Sequence, residues 1–181
     1  VYGNQDIPMR ETDEMTPKTP YGISKLACEH LLKFYRDEHG LDALAYRFFN
    51  AYGPRQHTAA YYTSVINVFI QRLLEGKSPV IHGSGEQTMD FIHAQDIARG
   101  LRLGLETETS VPVVNLGSGE MTSIADLAEI LVDIVGTDES PEYIDRDVLV
   151  SERKASTGRA KEELGFETRI PIREGLEDVV E

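Results

Sequence analysis

Tyr21 and Lys25 are the two residues whose types and spacing most directly suggest chemistry. They stand four apart at the head of a stretch that begins at Pro20 and carries apolar residues at helical spacing, so both side chains fall on one helix face. A free tyrosine has a pKa near ~10 and is a poor base at neutral pH. An ammonium held beside it favours the phenolate and lowers that pKa. Such a pair can take a proton from a substrate hydroxyl while a hydride leaves the same carbon. Tyr and Lys also fall at this spacing by chance, with the ring packed and the amine solvated, so the surrounding chain must decide.

The elements that would position the pair read as an α/β alternation. A helix is predicted over 21–39, with Leu26, Leu31, Leu32, Phe34 and Tyr35 as its apolar positions and Gly40 as its stop. Ahead of it, Val1-Tyr2 reads as the end of a core strand and 4–19, with Pro8 and Pro17, as a loop. After it come a buried strand over 44–49, a loop over 50–61 and a helix over 65–74. Short strands at 80–82 and 90–93, a helix over 94–105, a strand over 113–116 and a strongly apolar helix over 124–135 follow. A short strand at 143–144 and helices over 160–164 and 172–180 complete the pattern. Asp96 is placed to cap the helix that begins near it, and Cys28 reads as a packed core thiol.

Composition narrows the function classes. With 31 acidic and 18 basic residues the net charge is −13, which repels nucleic acid and anionic membranes; an anionic ligand would have to be met by a few local arginines. Only six lysines occur, a balance that also suits solubility in high salt. No run of ~18 apolar residues predicts a membrane span, and the first residues carry neither the basic nor the apolar part of a signal peptide. The single cysteine rules out an internal disulfide. No His, Cys and carboxylate cluster has metal-ligand spacing, so no metal is expected.

Four blocks in order carry a resemblance to a known family. They are Val1-Tyr2-Gly3, the run Thr19-Pro20-Tyr21-Gly22-Ile23-Ser24-Lys25-Leu26-Ala27-Cys28-Glu29, the run Arg47-Phe48-Phe49-Asn50-Ala51-Tyr52-Gly53-Pro54-Arg55-Gln56, and Gly83-Ser84-Gly85-Glu86-Gln87-Thr88-Met89-Asp90-Phe91. Together they resemble the extended short-chain dehydrogenases, the NAD-dependent epimerases and dehydratases of nucleotide sugars, and among these most of all the UDP-glucose 4-epimerases. The resemblance covers essentially the whole chain. It implies the C-terminal part of a Rossmann-like parallel sheet plus a small α/β substrate-binding region, divided at 1–60 and 61–181 with an interleaved boundary.

The resemblance also assigns roles. Tyr21 becomes the base and acid at the sugar 4-hydroxyl, and Lys25 its partner and a contact to the nicotinamide ribose. Phe48 would lie beside the nicotinamide of NAD. Asn50 would contact the nucleotide sugar, and Val80 and His82 would hold its base, largely through backbone groups. Met89 departs from the family, which commonly carries a diphosphate-binding arginine there; Arg153 is the candidate for that contact and Arg146 the runner-up. Ser156 departs too, where relatives commonly have Asp. Ser151 is a candidate for tuning the sugar pocket. His93 and Asp96 read as structural.

The resemblance further implies a half that the sequence does not contain. No glycine fingerprint of the dinucleotide type is present; Gly83-Ser84-Gly85 and Gly117-Ser118-Gly119 read as turns or substrate-side loops. A Rossmann half of roughly 110–120 residues would precede Val1, ending in a catalytic Ser or Thr in an epimerase or an Asp-Glu pair in a dehydratase. The expectation is therefore the C-terminal portion of a cytoplasmic, homodimeric, NAD-dependent nucleotide-sugar 4-epimerase. The alternatives are a 4,6-dehydratase, a UDP-glucuronate decarboxylase, or a truncated non-catalytic remnant. The isolated 181 residues are expected to fold incompletely and to be inactive.

Overall fold

A computed structural model describes residues 1–56, 64–145 and 152–181. The long helix α1 (Pro20–His39) begins where the Thr19 hydroxyl accepts from the Gly22 amide at 3.1 Å, and ends at Gly40 in the left-handed conformation. Proline at its first position has no amide to leave unsatisfied, and glycine tolerates the positive φ at its end. Strand β1 (Ala45–Phe48) follows, then β2 (Ala51–Tyr52) and α2 (Val65–Leu74). Next come β3 (Val80–His82), β4 (Thr88–Met89), β5 (Ile92–His93) and α3 (Ala94–Glu106). The chain continues with β6 (Val113–Leu116), β7 (Thr122–Ser123), α4 (Ile124–Val135), β8 (Glu142–Ile144), α5 (Gly158–Leu164) and α6 (Ile172–Val180).

The strands pair two by two. Parallel pairs join β1 to β6, β2 to β5 and β3 to β8, and an antiparallel pair joins β4 to β7. Sequence patterning predicts most of these elements, but four differences stand out. Val1-Tyr2 forms no strand among the described residues. The region read as a loop after Asn50 contains β2. The segment 44–49 is only half buried, with Phe48 48% exposed. The two-residue strands β4 and β7 are too short to leave a periodic signal.

Two apolar cores hold the C-terminal part. Ile66, Phe69, Leu127, Leu131 and Leu176 bring α2, α4 and α6 together over Ile81 and Phe91. Val114 and Leu116 of β6 pack against Ala160, Leu164 and Phe166 at α5. No residue of α1 enters either core; its one buried residue is Gly22. Cys28 is exposed rather than packed, because α1 contributes no side chain to either core.

Polar contacts therefore fix α1. Arg47 on β1, its side chain only 6% exposed, forks onto both oxygens of Glu29 at 3.0 and 2.7 Å. The same guanidinium donates to the Tyr2 hydroxyl at 2.7 Å, which donates in turn to Asn115 Oδ1 on β6 at 2.6 Å. Asn115 donates to the Met9 carbonyl at 2.9 Å, and its own amide is taken by the Glu11 carboxylate at 2.8 Å. At the far end of α1, Arg36 donates to the carbonyls of Ala43, Ser110 and Val111.

A second hub is Asp90, whose side chain is wholly buried. One carboxylate oxygen accepts from the Ser118 amide and hydroxyl, both at 2.7 Å, and the other from the amides of Gly119 at 2.9 Å and Ala155 at 3.0 Å. Burial pushes this carboxyl above its ordinary range, and the donors offset only part of that. A side chain on Gly117 would collide with Asp90 and Ala155, so glycine is required for the loop to close on the carboxylate. The Gly117-Ser118-Gly119 run thus cradles an anion that belongs to the chain itself.

Two outcomes follow for stability. Glu29→Ala strands Arg47 against the sheet and is expected to cost about 3 kcal/mol in urea unfolding, at the low end for a buried pair because Glu29 is partly wetted. Asp90→Asn turns an NH2 toward two donors and is expected to cost about 1–3 kcal/mol for each of them in the same measurement.

Candidate active site between helix α1 and strand β1

A cavity of about 490 Å³ opens between α1 and β1 and brings together Tyr21, Lys25, Phe48, Asn50 and Arg153. These are five of the seven positions singled out in the sequence. Val80 and His82 do not line it. Tyr21 and Lys25 occupy one face of α1, with the Lys25 ammonium 5.6 Å from the centre of the Tyr21 ring. Tyr21 is 59% exposed toward the opening.

Phe48 borders the cavity from β1, where strand alternation sets its side chain with Tyr46, on the face opposite the one that turns Arg47 to Glu29 and Tyr2. Asn50 follows the strand at a positive φ of 26°, a conformation that asparagine tolerates better than most residues. Its amide donates to the Asp90 carbonyl at 2.7 Å, which sets the orientation of the group.

Arg153 reaches the cavity by a route invisible in sequence. The segment 153–155 forms isolated parallel bridges, Met89 with Arg153 and Met9 with Ala155. The Arg153 amide donates to Thr88 O at 3.2 Å, and its carbonyl accepts from the Asp90 amide at 2.8 Å. Arg153 therefore lies directly beside Met89, the position where the sequence lacks the expected arginine. Met89 itself packs against the larger apolar core. Arg146 and Ser151 lie outside the described residues.

On β3 the register turns the backbone groups of Val80 and His82 away from β8. Pro79 O and Gly83 N make the flanking bonds to β8, while His82 O accepts from the Gln87 side chain at 3.3 Å. His93, not Asp96, caps α3: its Nδ1 accepts from the Gln95 amide. Asp96 turns inward and accepts from the amides of Arg169 and Ile170, with Arg99 paired at 2.8 Å. Sequence reasoning missed the Arg47–Tyr2–Asn115 chain; an arginine and an asparagine inside apolar strand patterns were the available signal.

A nicotinamide cofactor finds part of its needs here. Tyr21, Lys25 and Phe48 suit the nicotinamide-ribose end, with two hydrogen-bonding groups and an aromatic face on one cavity. Among the described residues neither glycine-rich loop offers a pyrophosphate cradle. One closes on Asp90, and at the other Gly85 sits against Ala125 and Ile81. No described helix is long and apolar enough to cross a membrane.

Comparison with known proteins finds relatives over nearly the whole chain. The NAD dependent epimerase/dehydratase family matches residues 1–117. A putative UDP-glucose 4-epimerase of Methanocaldococcus jannaschii is 32% identical over 99% of this chain and 58% of its own length. Among solved structures, UDP-glucose 4-epimerase from Thermotoga maritima with UDP-glucose superposes with a TM-score of 0.90 at 33% identity, over 99% of this chain and 58% of that one. UDP-glucuronic acid 4-epimerase from Bacillus cereus, in complex with UDP-glucuronic acid and NAD, does so with a TM-score of 0.86 at 30% identity, over 99% and 57%. The chain thus spans a little over half the length of these relatives. Its parallel strand pairs, its Tyr21–Lys25 helix and the family match together place the chain in the NAD-dependent epimerase/dehydratase family.

Proposed function

We propose that this chain is the C-terminal portion of an NAD-dependent nucleotide-sugar 4-epimerase of the UDP-glucose/UDP-galactose type. Residues 1–60 would complete the cofactor-binding unit and residues 61–181 form the substrate-binding region. The observation that carries the reading is the convergence of Tyr21, Lys25, Phe48 and Asn50 on one cavity. Bound NAD would supply the acceptance and return of a hydride at the sugar C4.

The chain's own residues supply proton transfer and position. Tyr21 takes the proton of the 4-hydroxyl and later returns it to the sugar. Lys25 favours the phenolate form of Tyr21 and hydrogen-bonds the nicotinamide ribose. Phe48 offers an apolar face that shields the reacting carbon from water. Asn50 orients the sugar, and Arg153 meets negative charge on the ligand. Val80 and His82 present backbone groups to the nucleotide base.

The unpaired edge of β1 supports a further part of the reading. Alternate amides of β1 bond to β6, at Ala45 and Phe49, and those of Tyr46 and Phe48 face the other way. Among the described residues no strand meets that edge. A further parallel strand fits there, and with it the pyrophosphate cradle that the described residues lack. The 181 residues alone would then be inactive, and the working form a cytoplasmic homodimer of the longer protein. A 4,6-dehydratase or UDP-glucuronate decarboxylase would use the same Tyr21–Lys25 pair.

Replacing Tyr21 tests the proposal. In the protein expressed from its complete coding frame, Tyr21→Phe is expected to lower kcat for UDP-galactose to UDP-glucose conversion by about 10²–10⁴-fold with little change in KM. Unchanged turnover in this variant would remove Tyr21 from the chemistry.

A further inference from the structure

Along α1 a ladder of charges stands at helical spacing: Lys25, Glu29, Lys33 and Asp37, each four residues from the next. Side chains so spaced are neighbours on a helix, so Glu29 has a lysine within reach on either side. It pairs with neither. Lys33 pairs with Asp37 at 2.5 Å. Lys25 makes no ion pair with any described residue, and its ammonium lies 5.6 Å from the centre of the Tyr21 ring. Glu29 instead reaches across to β1, where Arg47 Nε and Nη2 take its two carboxylate oxygens at 3.0 and 2.7 Å.

This choice of partner bears on the site because Lys25 has two neighbours. Tyr21 stands one turn before it and Glu29 one turn after, and all three line the cavity between α1 and β1. An ammonium drawn to Glu29 is drawn away from Tyr21. Glu29 is also the one carboxylate among the described residues of that lining. A planar guanidinium matches a carboxylate on both oxygens at once, whereas a lysine makes a point contact, so the fork outcompetes the neighbouring ammonium. Resting on the reading of Tyr21 and Lys25 as base and partner, we infer that Arg47 is a positioning residue for the reaction: by occupying both oxygens of Glu29 it keeps Lys25 for Tyr21.

The test is the pH profile of kcat in the complete protein with NAD bound, with UDP-galactose as the probe. The other groups around the pair do not blur it. Arg47 and Arg153 keep their charge throughout, and burial pushes Tyr2 and Tyr46 upward, away from an acid limb. Cys28, also on the lining, is removed as Cys28→Ser in every protein assayed. In Arg47→Met, Glu29 is released to Lys25 and the ammonium no longer favours the phenolate. The acid limb is expected to move about one pH unit to higher pH, so that kcat falls about tenfold below the limb and recovers above it. Adding Glu29→Met removes the competing carboxylate and should return the limb to its wild-type position. The Tyr2 hydroxyl keeps its bond to Asn115 in both variants. Arg47→Lys, which keeps a cation but loses the fork, should show a smaller shift in the same direction, reversed by Glu29→Gln; this pair carries the test if Arg47→Met does not fold.

A merely structural Arg47 would lower kcat at every pH and would gain nothing from the loss of Glu29. That result overturns the inference, as does an acid limb that stays in place in a folded Arg47 variant. An acid limb that persists in Tyr21→Phe would instead sink the reading of Tyr21 as the base, and the inference with it.

Discussion

The fork between Arg47 and Glu29 is the interaction on which the rest of the site depends. The helix that carries Tyr21 and Lys25 buries a single glycine and contributes nothing to the two apolar cores of the C-terminal part. Hydrophobic burial, which usually dominates the docking of a helix on a sheet, is slight between α1 and the other described residues. A buried guanidinium on β1 replaces it. Removing such a charge from water is costly unless every donor is satisfied, and here the donors reach Glu29 and the Tyr2 hydroxyl at bonding distance. Through Tyr2 and Asn115 the same chain of bonds reaches β6, so α1 is referenced to both strands of the parallel pair.

Asp90 does for the opposite wall what Arg47 does for the helix. Its carboxylate gathers the amides of Ser118, Gly119 and Ala155, and its backbone bonds to Asn50 and Arg153. Three chain segments far apart in sequence are thereby fixed around one buried anion. Two candidate site residues, Asn50 and Arg153, are set directly by its backbone. The arrangement also accounts for a glycine run that resembles a phosphate loop in composition. A loop that wraps an internal carboxylate uses the same physical device, amides converging on negative charge, without a ligand.

Much of this was legible in the sequence where local rules govern. Helices α4 and α6 show their apolar spacing, Gly40 ends α1 as a left-handed residue, and Tyr21 and Lys25 fall on one face because helical geometry leaves no alternative. What escaped depends on pairing across long separations. The strands β4 and β7 are two residues each, and their pairing unites positions 88–89 with 122–123. Arg153 gains its place only by its bridge to Met89. Cys28 shows the same limit from the other side: its position on an apolar helix suggests a packed thiol, yet α1 enters neither apolar core and the thiol is exposed. His93 takes the cap that sequence position assigns to Asp96, because Asp96 is drawn inward by the amides of Arg169 and Ile170.

The central claim is that the Tyr21–Lys25 pair serves a reversible oxidation at the sugar C4. Its most direct test is isotope tracing in the complete protein with a nucleotide hexose deuterated at C4. The account predicts that the label returns to C4 of the epimer with no net change in NAD. Label recovered at C6 would show a dehydratase using the same pair, and label that never leaves the original C–D bond during incubation would contradict the account.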